Sequence, residues 1–306
     1  MAMLASASLV AALGIGAGPV EATYPGVNGR LAFGLDTGDG NVDLYSVRPN
    51  GNALRRLTTG PTFDACPAYS PDGRSIAYCS GPVTGPGQGV LEIWAMKANG
   101  KKQRQLTHFG GFSGFPDYAP DGRKIAFTGR PAGATGSKIW VMNADGTGPT
   151  RLTAGPGLDL FPAWSPDGSK IVFLSSRSGV LQVWLMDATG ANPTQLTTDP
   201  ATKGQVPDWS PDGRRIAYQS YATGAGDIYV MNADGTGQTR LTTDPGEESG
   251  PVWSPDGTKI AFLRSRDSGP GTVYIMNADG SDQHPVHPGG AQLVPAWQPL
   301  GKGKSR

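Results

Sequence analysis

The stretch PAWSPDGSKIVF, Pro162 to Phe173, sets two short apolar runs on either side of a Pro-Asp-Gly turn. It recurs as PAYSPDGRSIAY from Pro67, PDYAPDGRKIAF from Pro116, PDWSPDGRRIAY from Pro207 and PVWSPDGTKIAF from Pro251. Half-copies stand at the ends, NGRLAF from Asn28 and PAWQPLGKGK from Pro295. The turn aspartates Asp72, Asp121, Asp167, Asp212 and Asp256 lie 44 to 49 residues apart, with Asn28 and Leu300 in the equivalent end places. A fixed period of this length marks a propeller or a solenoid.

Within the motif, proline pre-sets φ, aspartate bonds its own backbone and glycine takes the positive φ that starts the next run. Each unit holds four short runs, seen in the fifth as VPDWSP from Val206, RIAYQS from Arg215, DIYVMN from Asp227 and TRLT from Thr239. All are rich in β-branched and aromatic residues and bounded by turn formers, so they read as strands. Four antiparallel strands in each of six units predict an all-β fold, a six-bladed β-propeller. The first repeat supplies strands two to four only, and the chain finishes on a lone first strand, LVPAWQP from Leu293. Pairing of that C-terminal strand with the N-terminal blade closes the ring and removes an open edge.

The 306 residues include 46 glycines and 27 prolines, which sit at fixed offsets as turn punctuation. A net charge of +1 gives no basic field for nucleic acid. Met3 to Gly18 is an apolar run of small residues resembling a secretory signal, with Val20-Glu21-Ala22 as a cleavage site. The expected organisation is a signal peptide over 1–22, a single propeller domain over 23–299 and a basic tail over 300–306. The location is then periplasmic or secreted, with no stable membrane span after cleavage.

Cys66 and Cys79 are the only cysteines. A turn over Pro71 to Arg74 sets Ser70 opposite Ser75 and, in the same register, Cys66 opposite Cys79, close enough for a disulfide in an exported protein. Trp164, Trp209, Trp253 and Trp297, with Tyr69 and Tyr118, share one place in the first strand, and Met96, Met142, Met186, Met231 and Met276 share one in the third. One methionine per blade reads as core filling, not as a copper site. The Asx turns lack the oxygen ligands of a calcium loop.

Strands alternate direction, so the SPDG and NADG turns share one face and the second-to-third-strand loops and interblade links share the other. The turns are nearly uniform, whereas the loops diverge, and the loop face is therefore the expected binding surface. At its channel mouth stand Asp64, Ser113, Asp159, Gly204 beside Gln205, Glu248 beside Glu247, and Gln292, with Phe112, Phe115, Leu160 and Phe161 adding apolar contacts. Three carboxylates around one mouth suit a cation or a basic peptide segment; the alternative is that they cap loops. No cofactor is expected. Catalytic signals are poor: there is no HExxH or CxxC, and Gly111-Phe112-Ser113-Gly114-Phe115 lacks the last glycine of a nucleophile elbow.

W-S-P-D-G-x-x-I-A-F followed by Y-V-M-N-A-D-G and R-L-T resembles the WD40-like (PD40) repeat of TolB-type β-propellers, over roughly Asn28 to Pro299. The resemblance implies a propeller exported to the cell envelope that docks a protein or peptide without chemistry of its own. The family's namesake carries an α/β domain ahead of its propeller, for which Ala22 to Asn28 leaves no room, so its partner does not carry over. Prolyl-oligopeptidase-type peptidases share the repeat but need an α/β-hydrolase domain. The alternative function is a carbohydrate-active propeller, a polysaccharide lyase or glycosidase using loop-face carboxylates.

Overall fold

The computed structural model describes residues 26–36, 41–82, 90–266 and 271–301, without the side chains of residues 288, 289, 292 and 293. The expected signal peptide and the tail beyond residue 301 lie outside the described residues. Blade 1 holds Val27–Asp36, Val42–Val47 and Arg55–Arg56. Blades 2 to 6 begin with the first strands Thr62–Tyr69, Phe112–Tyr118, Asp159–Trp164, Asp208–Trp209 and Glu247–Trp253. Blades 2 to 5 are four-stranded antiparallel sheets. In blade 4, Asp159–Trp164 pairs with Lys170–Ser175, then Gln182–Asp187, then the two-residue outer strand Thr194–Gln195.

The turn that joins first and second strands forms as its chemistry dictates. In blade 4, Asp167 Oδ1 accepts the Ser165 hydroxyl at 2.6 Å and the Ser169 N–H at 3.0 Å. Gly168 follows at φ 71°, and a Cβ there would stand 3.0 Å from Pro120 of the preceding turn. The turns thus abut in a ring. The NADG turns lie on the same face, since the Ala188 N–H donates to the Ser169 carbonyl at 2.9 Å and blades 2, 3, 5 and 6 repeat this bond.

Each blade is buried on both faces by its neighbours, which is why second strands such as Ile171 to Leu174 are apolar without alternation. Side chains still divide by parity. Ile216 and Tyr218 pack back on Ala163, Val172 and Leu174 of blade 4, whereas Ala217 packs forward on Trp253, Ile260 and Phe262 of blade 6. The recurring I-A-F therefore offers a large face to the preceding blade and a small one to the next. One such cluster fills every interface, including that between blades 6 and 1. The methionines are fully buried within them.

The threonine of R-L-T fixes the outer strand. Thr58, Thr107, Thr153, Thr197 and Thr242 each accept the N–H of a third-strand residue at 2.8 to 3.0 Å.

Blades 6 and 1 are continuous, in one seven-stranded sheet. Where the sequence suggests an outer strand followed by a separate first strand, a single 17-residue strand, His284–Leu300, serves both blades. His284 pairs with Ile275 of blade 6, and Trp297 pairs with Leu31 of blade 1. Ala291 lies opposite both Gly271 and Leu35, so one residue pairs with both blades, with register shifts along each ladder. Asn28 completes the join, its Nδ2 donating to Asp256 Oδ2 at 2.9 Å.

The first strands differ from a plain ladder. Register slips between Ala65 and Ala68, Gly114 and Asp117, Leu160 and Ala163, and Ser249 and Val252. Each slip straddles the first-strand proline, whose nitrogen has no proton to give and which sheets admit only at edges or bulges. The residue before it turns left-handed: Cys66 at φ 44°, Phe115 at 52°, Phe161 at 56°, Val206 at 38° and Gly250 at 58°. Only glycine takes that conformation without strain. The bulge also corrects the cysteine register. Cys79 pairs with Ala65, and Cys66 bonds it from the bulge with Cα atoms 5.6 Å apart.

Two outcomes test this reading. Gly168→Ala destabilises the fold by about 1–2 kcal/mol, read from its denaturation midpoint. Closing a loop of sequence separation 13 gives the disulfide about 3 kcal/mol of stabilisation, so Cys66→Ser or reductant lowers stability by that order, and non-reducing peptide mapping recovers the linked pair.

Candidate functional site

On the loop face the structure places the expected carboxylates inside their own blades. Asp64, 4% exposed, accepts the Ser80 hydroxyl at 2.6 Å; burial pushes its carboxyl up, against hydrogen bonds from Ser80, Thr58 and Thr62. Asp159, wholly buried, takes Ser175 at 2.6 Å, Arg177 at 2.9 Å and Lys138 at 3.2 Å. Glu248, wholly buried, accepts Nε and a terminal nitrogen of Arg264 at 2.9 and 2.7 Å. Each acid lies opposite its second-strand partner in the ladder. They tie first strands to second strands and do not converge on a common ion, and among the described residues no three metal-ligating side chains do.

The remaining expected residues divide. Ser113 is buried and its N–H donates to the Leu91 carbonyl at 2.7 Å, and the Gln205 N–H donates to Gln219 Oε1 at 2.9 Å. Glu247 is exposed and accepts the Tyr221 hydroxyl at 2.7 Å. The Gln292 side chain lies outside the described residues. The aromatics do come together: Phe112 and Phe115 centroids are 6.3 Å apart, and Phe115 meets Phe161 edge-on at 4.5 Å. Leu91 bridges to Phe112 across the blade border. Val90, Leu158 and Val180, in the loops and links of blades 2 to 4, are exposed apolar residues.

A central pocket, partly open and touched by Phe115, lies in the channel toward the turn face. A cavity of about 140 Å³ is lined by the residue after each first-strand proline, namely Ala68, Asp117, Ala163, Asp208, Val252 and Ala296, and reaches the turn prolines Pro166, Pro211, Pro255 and Pro299. Two of the six positions carry acids. Asp117 Oδ2 accepts the Trp164 N–H at 2.7 Å and Asp208 Oδ2 that of Trp253 at 2.7 Å, so each staples its blade to the next. Neither has a cationic partner among the described residues. Burial pushes Asp117 up to about 8, opposed by the Trp164 bond and aided by the charge of Asp208, and burial likewise pushes Asp208 up to about 7. At pH 7 Asp117 is mostly protonated and Asp208 about half so. The pair escaped the sequence reading, although a charged residue where four repeats carry Ala or Val was the available signal.

The pH dependence has one sign. Between about pH 4 and 8 the folded chain keeps protons the unfolded chain has released, so stability present below this window is lost as pH rises through it. Asp117→Asn and Asp208→Asn keep the acceptor and remove the titration. Their unfolding free energies relative to the parent chain are higher at pH 9 than at pH 5 by on the order of a few kcal/mol, read from denaturant unfolding at the two pH values.

The comparisons with known proteins agree with this architecture. The family model described as the TolB beta propeller domain (PD40) matches residues 87–206 and 201–303. The TolB homolog of Chlorobium luteolum is 40% identical over 53 residues, 17% of this chain and 12% of that protein, so the match spans a small part of that relative's length. TolB from Acinetobacter baumannii superposes with a TM-score of 0.76 at 25% identity, over 89% of this chain and 67% of the other. A putative TolB from Agrobacterium tumefaciens gives 0.68 at 22% identity, over 86% and 91%, and shows a shared fold. With six blades built on the SPDG repeat and a family match spanning most of the ring, this chain belongs to the TolB β-propeller domain family.

Proposed function

We propose that this chain is an exported, non-catalytic scaffold that binds a protein or peptide of the cell envelope through its loop face. The observation that carries this reading is the apolar side chains of the loop side of blades 2 to 4, with Phe112, Phe115 and Phe161 in ring contact and Val90, Leu158 and Val180 exposed in the loops and links of the same blades. Export is supported by the apolar run at the start of the chain and by the Cys66–Cys79 disulfide, a bond of oxidising compartments. Family membership supports a propeller of the TolB type, and the protein partner is this proposal's own step.

A carbohydrate-active alternative asks Asp64, Asp159 or Glu248 to act as acid or base. Each is buried and already bonded, Asp159 between two cations. The binding reading leaves them where they are, as part of the frame.

Affinity capture from envelope extract tests the proposal. The parent chain retains a partner, and Leu158→Glu with Val180→Glu weakens retention by about tenfold or more, while circular dichroism melting is unchanged. Capture of nothing, or capture indifferent to these substitutions, overturns it.

A further inference from the structure

The six hairpin tips between third and fourth strands are structural copies, so their differences isolate what the fold does not require. In blade 1 the tip (48–58) carries Arg48, Arg55 and Arg56, and in blade 2 the tip (97–107) carries Lys97, Lys101, Lys102 and Arg104, with no carboxylate in either. The same positions carry Arg151 with Asp145 in blade 3, Asp187 alone in blade 4, Arg240 with Asp234 in blade 5, and Asp279 with Asp282 in blade 6. A chain of net charge +1 therefore concentrates cations on two adjacent tips. Those tips touch, because a Cβ on Gly100 of blade 2 would stand 2.4 Å from the Leu57 carbonyl of blade 1.

The turn does not need these charges. In blades 3, 5 and 6 an aspartate accepts the N–H two residues on, as Asp145 does from Thr147 at 2.9 Å. Asn50 and Asn99 do the same at 3.2 Å with a neutral amide, so neither turn supplies a carboxylate of its own. Lys102 occupies a left-handed position, φ 59°, that Gly148 and Gly237 fill in blades 3 and 5. Among the described residues Arg48, Arg55, Lys97, Lys101 and Lys102 have no carboxylate partner, whereas Arg56 is held by Asp43 and Arg104 by backbone carbonyls. Leu54 stands among them, 41% exposed, where the other tips carry Gln103, Pro149, Pro193, Gln238 and Gln283.

We propose that the tips of blades 1 and 2 form a docking surface for an anionic phospholipid membrane. Lysines and arginines on an outer edge reach headgroup phosphates, and the exposed leucine enters the interface beside them. A bound soluble anion fits less well, because the groove behind the tips sets Lys97, Lys102 and Arg104 against Asp72, Asp121 and Asp145. This surface is independent of the loop-face reading.

Vesicle co-sedimentation of the full chain tests it, with phosphatidylcholine alone and phosphatidylcholine mixed with phosphatidylglycerol. The chain sediments with the anionic vesicles only, and less as salt rises. Lys97→Gln, Lys101→Gln and Lys102→Gln together lower the partition coefficient on the order of 100-fold, and Leu54→Ser lowers it further, with melting unchanged in both. Absence of binding, binding unaltered in the triple variant, or retention on soluble polyphosphate without retention on vesicles overturns the proposal. Because the basic tail is intact throughout, binding carried by the tail also survives the triple substitution and counts against it.

Discussion

A blade of this protein is apolar on both sides, so it can be stable only between two others. That requirement dictates the ring. Ile216 and Tyr218 need blade 4 behind them and Ala217 needs blade 6 ahead, and the same demand passes from blade to blade until blade 6 meets blade 1. The small-forward, large-backward arrangement lets identical units stack without a void. The one strand shared by the last and first blades is what this demand produces where the chain has two ends to join.

The fold was legible because the same twelve-residue phrase is repeated, and each residue in it has a local reason. Pro, Asp and Gly make the turn, and Ile, Ala and Phe make the two packing faces. The first-strand bulge was not legible in period or composition, although its cause was in view. Pro67, Pro116, Pro162 and Pro251 have no N–H to place in an inner strand, so an extra residue is absorbed beside each. That one slip explains why Cys66 reaches Cys79 from a bulge and not from directly across the ladder.

The candidate site was less legible, for a different reason. Asp64, Asp159 and Glu248 stand at similar sequence positions, and nothing in their spacing distinguishes an acid facing a channel from one facing its own second strand. Ser80, Ser175 and Arg264, directly opposite in each ladder, decide the matter. Asp117 and Asp208 read as ordinary variation within a repeat, yet both line the central pocket. The two faces also divide differently from what loop divergence alone implies. The loop face carries exposed apolar residues, while the uniform turns frame the central pocket and, at blades 1 and 2, cations without a carboxylate partner among the described residues.

The shared closing strand has a further consequence, for the order of events in synthesis. The Arg30 N–H finds its acceptor on Gln298, 268 residues away. A chain made from its N-terminus therefore completes blades 2 to 5 while blade 1 still shows an unpaired inner edge, and local pairing contributes nothing to ring closure. The strand His284–Leu300 releases the nascent chain from that state. A chain that has completed Gly271–Asn277 but not Trp297 has its other interfaces formed while that between blades 6 and 1 lacks its shared strand, which leaves an edge open to pairing with another copy.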